Sequence, residues 1–194
     1  QYFLWVSYGL CHGPISSIVN ARLLYQEVTL PGGGLPYGNS ALFQTELGLA
    51  NPAGAVPSYY AAATSNLGVE RFPYIATAHV RYYLAEVAGI YDSPLFVVDG
   101  RTLRDPRLGL DVNGIPNQPE AYSKNVALAL ADYYTSPIYG MRRDDARIYW
   151  DSVADVADYC DVLVAGLPRH TINWAIMRKS SHRAIIDTIK ALGR

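Results

Sequence analysis

The sequence predicts an α+β fold, a strand-rich N-terminal part followed by a helix-rich part, with long Gly/Pro-rich loops. Three observations carry the prediction. Ala76, Ala78, Val80, Tyr82 and Leu84 alternate with Thr77, His79, Arg81 and Tyr83, which is the period of a half-buried strand. Gly and Pro crowd the stretches 31–39 and 51–57 and forbid regular structure there. Beyond residue 125 the apolar spacing becomes helical, starting at the Ala-rich run after Val126, with Asn125 ahead of it as an N-cap.

In chain order, Tyr2–Tyr8 is apolar and aromatic and reads as extended, and Gly9–Pro14 reads as a turn. Ile15–Leu30 is rich in Ile, Val, Tyr and Thr and reads as strand. Ile15, Val19 and Leu23 also fall at helical spacing, so periodicity leaves a helix open there. The two Gly/Pro clusters are loops. Tyr74–Leu84 is a strand, Leu95–Val98 a second one closed by Asp99-Gly100, and 101–119 is irregular with a turn at Asn113-Gly114. Helices are expected over Val126–Tyr134 and over about 143–164. Thr171–Met177 looks extended, and Ser180–Leu192 is a last helix stopped by Gly193. The expected organisation is a strand-rich region over residues 1–118, a helical region over 119–168, and a strand with a basic helix over 169–194.

With 194 residues, 50% apolar and 17% charged, the chain is long enough to hold a core without metals or disulfides. No apolar run approaches the roughly 18 residues that span a bilayer, so the chain is not expected to cross a membrane. The start, Gln1-Tyr-Phe-Leu-Trp-Val, has neither a basic flank nor an initiator Met, and the chain reads as a segment of a larger polypeptide. Arg outnumbers Lys by 13 to 3, and 16 Tyr exceed the 4 Phe and 3 Trp together. Protein interfaces favour this mixture, because Tyr and Arg bring contact area and directional donors. A GC-rich coding sequence would give the same Arg bias.

Candidate chemistry begins at Cys11 in Tyr8-Gly-Leu-Cys-His-Gly-Pro-Ile15. A thiol at a helix N-terminus is activated by the macrodipole, and Cys11 qualifies if Ile15 starts a helix. Its base would come from elsewhere in the fold, with His79 as the candidate and His170 or His182 as others. The ordinary reading of His79 is a sheet-surface residue beside Arg81 and Tyr83. Cys160, the other cysteine, reads as a small buried hydrophobe. No Cys-x-x-Cys, His-x-x-x-His or His-Glu-x-x-His is present to suggest a metal. Asp111-Val-Asn-Gly114 resembles the opening of a calcium loop but lacks the later ligands, and a turn explains it better. On the 143–164 helix, Asp144, Asp151, Asp155 and Asp158 share a face, read as solvated, opposite Tyr149, Val153, Val156, Cys160 and Leu163. Charge is uneven: Arg169, Arg178, Lys179, Arg183, Lys190 and Arg194 meet only Asp187, so the last 26 residues carry +5. That end could contact phosphates or an acidic neighbour.

The run from Ser123-Lys-Asn125-Val-Ala127 through Asp132 and Tyr139-Gly140, followed by a second helix ending in Cys160-Asp161, resembles the tail-tip attachment proteins of long-tailed bacteriophages, also called tail hub or host-specificity proteins. The family pattern is a Ser-x-Asn-Pro-Ala helix start, an Asp further along, Tyr-Gly-Leu-Gly after the helix, and a second helix ending in Cys-Asp. Here Val126 stands for the Pro and Met141 for the Leu. Gly100-Arg-Thr-Leu-Arg-Asp-Pro106, the turn at Gly9–Ile15 and the helix Ser181–Gly193 resemble other family segments in the same order.

The resemblance implies a structural virion protein at the phage tail tip, acting in tail assembly, host attachment and genome delivery. The implied partners are other copies of itself in a trimer, other tail proteins, DNA passing through the tail channel, and a host receptor engaged by parts outside this chain. It implies no cofactor and no catalytic residue in this region. The positions it marks, Asn125, Asp132, Tyr139, Gly140, Cys160 and Asp161, are structural. Two readings from other classes stand beside it: a thiol-dependent hydrolase or transferase using Cys11 with His79, and a nucleic-acid-binding module using the six basic residues of 169–194.

Overall fold

The computed structural model describes residues 3–12, 15–23, 26–28, 41–44, 75–83 and 94–192, with side chains for Val6, for 8–11, for 15–22 and for 94–192. The loops expected at 31–39 and 51–57, the Gly13-Pro14 step and the Gly193 stop lie outside the described residues. The fold is α+β: antiparallel strands come first and the helices follow. The chain separates into two compact units, 1–101 and 102–194.

In the first unit, β1 (Phe3–His12) pairs antiparallel with β5 (Ile75–Tyr83), from Phe3 opposite Tyr83 to His12 opposite Ile75. On the other edge of β5 lies β4 (Ala41–Gln44). The turn expected at Gly9–Pro14 is corrected: β1 continues through Gly9, Cys11 and His12. It does so across a bulge, since Gly9 faces Thr77 while Cys11 faces Ala76, leaving Leu10 as the extra residue. A glycine beside an unpaired residue is how a strand absorbs such an insertion, and it looks like a turn in sequence.

A second sheet of this unit centres on β2 (Ile15–Leu23), which pairs with β3 (Gln26–Val28) and with β6 (Leu95–Leu103). The helix left open at Ile15 is therefore absent. Val19 is the extra residue of another bulge, between Ile18 opposite Val98 and Asn20 opposite Val97. The insertion resets the alternation, so Ile18 and Ala21, three residues apart, are both buried while Val19 is 52% exposed. Ile15 and Ile18 pack with Leu10 and Phe96, and Tyr8 lies against Phe96 with ring centroids 5.8 Å apart. The strand expected over Leu95–Val98 also extends further than Asp99-Gly100. Asp99 sits opposite Ser17 and accepts a 3.0 Å hydrogen bond from its hydroxyl, which keeps a turn-prone pair in the ladder.

The second unit opens with the last residues of β6, Thr102 and Leu103, paired with β7 (Ala121–Tyr122). Asp105-Pro106 then starts a 3-10 turn over Pro106–Leu108, with Asp105 as its cap. The turn expected at Asn113-Gly114 is present, and Gly114 adopts φ +75°. The Asp111 carboxylate accepts from the amides of Asn113 and Ile115, at 2.8 and 2.9 Å, so it is directed at its own backbone as in an Asx turn.

Helix α1 (Val126–Thr135) matches the expected span. It is wrapped on two sides. Leu128 and Ala131 are buried, Leu128 in one cluster with Leu103 and Ala157, while Val126 and Tyr133 join Cys160, Ile185, Ile186 and Ile189 in another. Helix α2 is Trp150–Asp161, seven residues shorter at its start than expected. Asp144 caps a separate 3-10 turn over Asp145–Arg147 instead of lying on the helix face. The buried stripe is consequently Trp150, Ala157 and Cys160, with Val153 beside it; Tyr149 is 85% exposed and Leu163 belongs to a small hairpin, β8 (Leu163–Val164) with β9 (Leu167–Pro168). Thr171–Met177 is not a strand. Thr171 makes a single bridge to Asn125, the Ile172 amide donates to the Lys124 carbonyl at 2.7 Å, and the rest is irregular. Helix α3 (His182–Leu192) closes the unit, laying Ile185, Ile186 and Ile189 on α1.

Candidate functional site

The positions singled out in the helical unit converge on the α1–α2 hairpin. Asn125 is 2% exposed, and its side chain serves both helices. Its Oδ1 accepts from the amides of Ala127 (3.0 Å) and Leu128 (3.4 Å), two of the donors a helix start leaves without an intrahelical partner. Its Nδ2 donates to the Ala157 carbonyl at 2.9 Å, so the start of α1 is tied to the far end of α2 and the helices run antiparallel. Ser is acceptable as a cap but is too short for this second bond; Asp lacks its donor.

At the other end of α1 the chain turns back along the helix. Amides of Met141 and Arg143 donate to the carbonyls of Tyr133 (3.0 Å) and Tyr134 (2.8 Å), filling acceptors freed at the helix end. Gly140 makes this return fit: a Cβ there would lie 2.0 Å from the Tyr133 carbonyl oxygen and 2.9 Å from that of Ser136. The Tyr139 hydroxyl donates to the Asp132 carboxylate and pins the same return.

Cys160 is a free, buried thiol, packed against α1 and α3. Burial raises its pKa; a hydrogen bond with the Ala127 backbone and the Arg107 charge pull it down less, and the Asp161 charge adds to the rise. Asp161 is one of three carboxylates gathered by Arg107, a residue that the sequence reading did not single out. Arg107 reaches Asp105 at 2.6 Å, Asp161 at 2.8 Å and Asp158 at 3.0 Å. Hydrogen bonding to Asp105, followed by that to Asp161 and Asp158, raises the Arg107 pKa against the opposing effect of burial. Asp105 is held below the usual carboxylate range: burial alone would raise it, and the hydrogen bonds from the Arg107 side chain and amide together outweigh that. Arg104 works similarly nearby, gripping Asp145 with two bonds of 2.6 and 3.0 Å, donating to Thr135 at 3.1 Å and lying 5.2 Å from the Trp150 ring centre. The Asp-Pro step with flanking arginines was the available signal for both.

The basic residues of 169–194 are placed on different elements. Arg169 covers the Tyr159 ring at 4.3 Å, and Tyr159 stacks with His170. Arg183 pairs with Asp187 at 2.9 Å on α3. Lys190 is also on α3, Arg178 and Lys179 lie in the irregular segment before it, and Arg194 is outside the described residues. His182, a candidate base by sequence, shares a 2.7 Å hydrogen bond with the Tyr133 hydroxyl.

Cys11 stands on β1, not at a helix start, which removes the dipole that would have activated it. The residue reaches solvent, yet surrounding protein desolvates the sulfur enough to raise the thiol pKa, and the nearby Arg101 charge opposes without cancelling. His79 is described as a strand position only. The ladder sets Cys11 opposite Ala76 and Ser7 opposite His79, so the two candidate positions are about 10 Å apart along the sheet. Among the described residues no three His, Cys, Asp or Glu side chains form a metal-binding group, and no helix is long and apolar enough to cross a membrane.

No family model and no curated protein matches this chain.

Proposed function

We propose that this chain is a structural segment of a phage tail-tip hub, acting in tail assembly, host attachment and passage of the genome. The observation that carries the reading is the use made of the motif positions. Asn125, Asp132, Tyr139 and Gly140 secure the α1 ends and the return after it, Cys160 fills the core, and Asp161 joins the Arg107 cluster. Residues that resemble a family motif and all hold one helical hairpin suit a structural module better than an active site. The exposed apolar side chains Leu163, Leu167 and Met177, the last 87% exposed, suit a subunit of an assembly, where such groups are covered by neighbours.

The raised Cys11 thiol and the separation of positions 11 and 79 speak against the thiol-enzyme reading. Engagement of Arg169 with Tyr159 and of Arg183 with Asp187 weakens the case for a phosphate-binding surface. Immunogold labelling of purified particles with antibody to this chain tests the proposal. Label at the tail tip, with cross-linked trimers in the intact particle, is expected; label on the head shell, or on no particle, would refute it.

A further inference from the structure

A groove of about 900 Å³ opens between α1 and α2, and the roles assigned above do not account for it. One wall is Ala127, Leu130, Ala131 and Tyr134, at i, i+3, i+4 and i+7 of α1. The facing wall is Tyr149, Ser152, Val153 and Val156, the same spacing along α2 and its cap. Two antiparallel helices thus present matching stripes, each about 10 Å long, to an open channel. Ala127 is small and Ala131 lies buried at the base of the α1 wall, so the wall is low and a third helix can approach to the usual spacing of about 8–10 Å. A three-helix arrangement with one member missing is the geometry of a helix-in-groove site.

The lining has a charge as well as a shape. Arg143 and Arg147 stand at the Tyr134/Tyr149 end and no carboxylate lines the groove. Both arginine side chains are exposed and make no ion pair among the described residues. Of the acids next to these arginines in sequence, Asp145 is held by Arg104, and Asp144 accepts from the Ala146 amide. An apolar floor with cations at one end complements an amphipathic helix that is apolar on one face and carries Asp or Glu at one end.

We infer that the α1–α2 groove is a docking site for an acidic amphipathic helix of a partner protein, with Arg143 and Arg147 reading its carboxylates. The inference rests on the groove and holds independently of the tail assignment. About two turns of the partner helix would lie against the stripes.

The test uses the whole chain and a fluorescein-labelled synthetic helical peptide with Leu at i, i+3, i+4 and i+7 and Glu at its end, against the same peptide with Lys for Glu. Fluorescence anisotropy gives the affinities. The Glu peptide should bind more tightly than the Lys peptide, and increasingly so as salt is lowered. The double variant Arg143→Glu with Arg147→Glu should weaken the Glu peptide at least about tenfold and bring the Lys peptide to equal or better binding. Ser152→Trp, at an exposed position on the groove wall, should weaken both by obstruction; far-UV circular dichroism checks that each variant keeps its helices. No peptide binding by the native chain, equal affinity for the two peptides, or binding untouched by Ser152→Trp would overturn the inference. So would an Arg143/Arg147-dependent attachment to anionic phosphatidylglycerol vesicles that excludes the peptide, or a dimer in sedimentation equilibrium that Ser152→Trp converts to monomer.

Discussion

Asn125 offers the sharpest test of how the helical unit is held. Replacing it with Ala removes the acceptor of the Ala127 and Leu128 amides and the donor to the Ala157 carbonyl. Loss of an N-cap costs about 0.5–2 kcal/mol, typically near 1. The lost interhelical bond adds roughly 0.5–1.5 kcal/mol, because the buried Ala157 carbonyl keeps only its helical partner. Asn125→Ala should therefore destabilise the unit by about 1–3.5 kcal/mol, centred near 2. Asn125→Ser restores a capping oxygen but cannot span to Ala157, and should recover about 1 kcal/mol of that loss. Hydrogen exchange of the amides of α1 and α2 is the suitable assay, since two compact units need not unfold together and a single melting point would mix them. The measured quantity is the opening free energy of the 129–135 amides in native and variant chains under identical conditions. A change below about 0.5 kcal/mol in Asn125→Ala, or equal losses in Ala and Ser, would show that the side chain is not the link between the helices.

Three further outcomes follow from the same geometry. Gly140→Ala places a methyl group 2.0 Å from a backbone oxygen of α1, so it should unseat the return of residues 139–143 and lower the unit's stability by several kcal/mol, about as much as a severe core change; unchanged hydrogen-exchange opening free energies in α1 would contradict it. Asp105 has a depressed folded pKa, so its contribution is complete above the unfolded carboxylate value and is lost as pH falls through the lower folded value. The helical unit should thus lose stability below about pH 4, and Arg107→Gln should flatten that part of the pH profile while lowering stability at neutral pH; an unchanged acid limb would contradict it. Cys11, with its pKa raised, should react slowly with iodoacetamide at neutral pH and faster above pH 9, while buried Cys160 should react only on unfolding; mass spectrometry that finds rapid neutral alkylation of Cys11 would revive the thiol-enzyme reading.

The helices were legible where a local signal set them. Asn125 before an Ala-rich run marked the start of α1 within a residue, because capping is a contact between neighbours in sequence. The start of α2 is misleading for the complementary reason: Asp144 fits the carboxylate stripe of a longer helix, while in the structure it caps a short turn of its own. Strand boundaries failed where turn-prone residues lie inside a ladder. Gly9 and Asp99-Gly100 carry turn chemistry, yet the ladder partners Thr77 and Ser17 keep both in a sheet, and partners distant in sequence leave no local trace. The wider Arg107 cluster was hidden in the same way, since Asp158 and Asp161 lie 51 and 54 residues away; only Asp105, two residues back, is local.

This pattern bears on where function can be sought in the chain. The motif positions are consumed in holding the hairpin, whereas the groove stripe on α2 begins at Tyr149, which the sequence placed on the face opposite the carboxylates. Tyr149, Val153 and Val156 do form an apolar stripe at helical spacing; the core of the unit takes Trp150, Ala157 and Cys160, Val153 packs at its margin, and Tyr149 and Val156 stay exposed. A helix of twelve residues with two apolar faces satisfies one of them within the unit and leaves the other for something else. With Arg143 and Arg147 beside it, that second face is where a change such as Ser152→Trp should alter association without altering the fold, and the motif positions that hold the hairpin are where the reverse should hold.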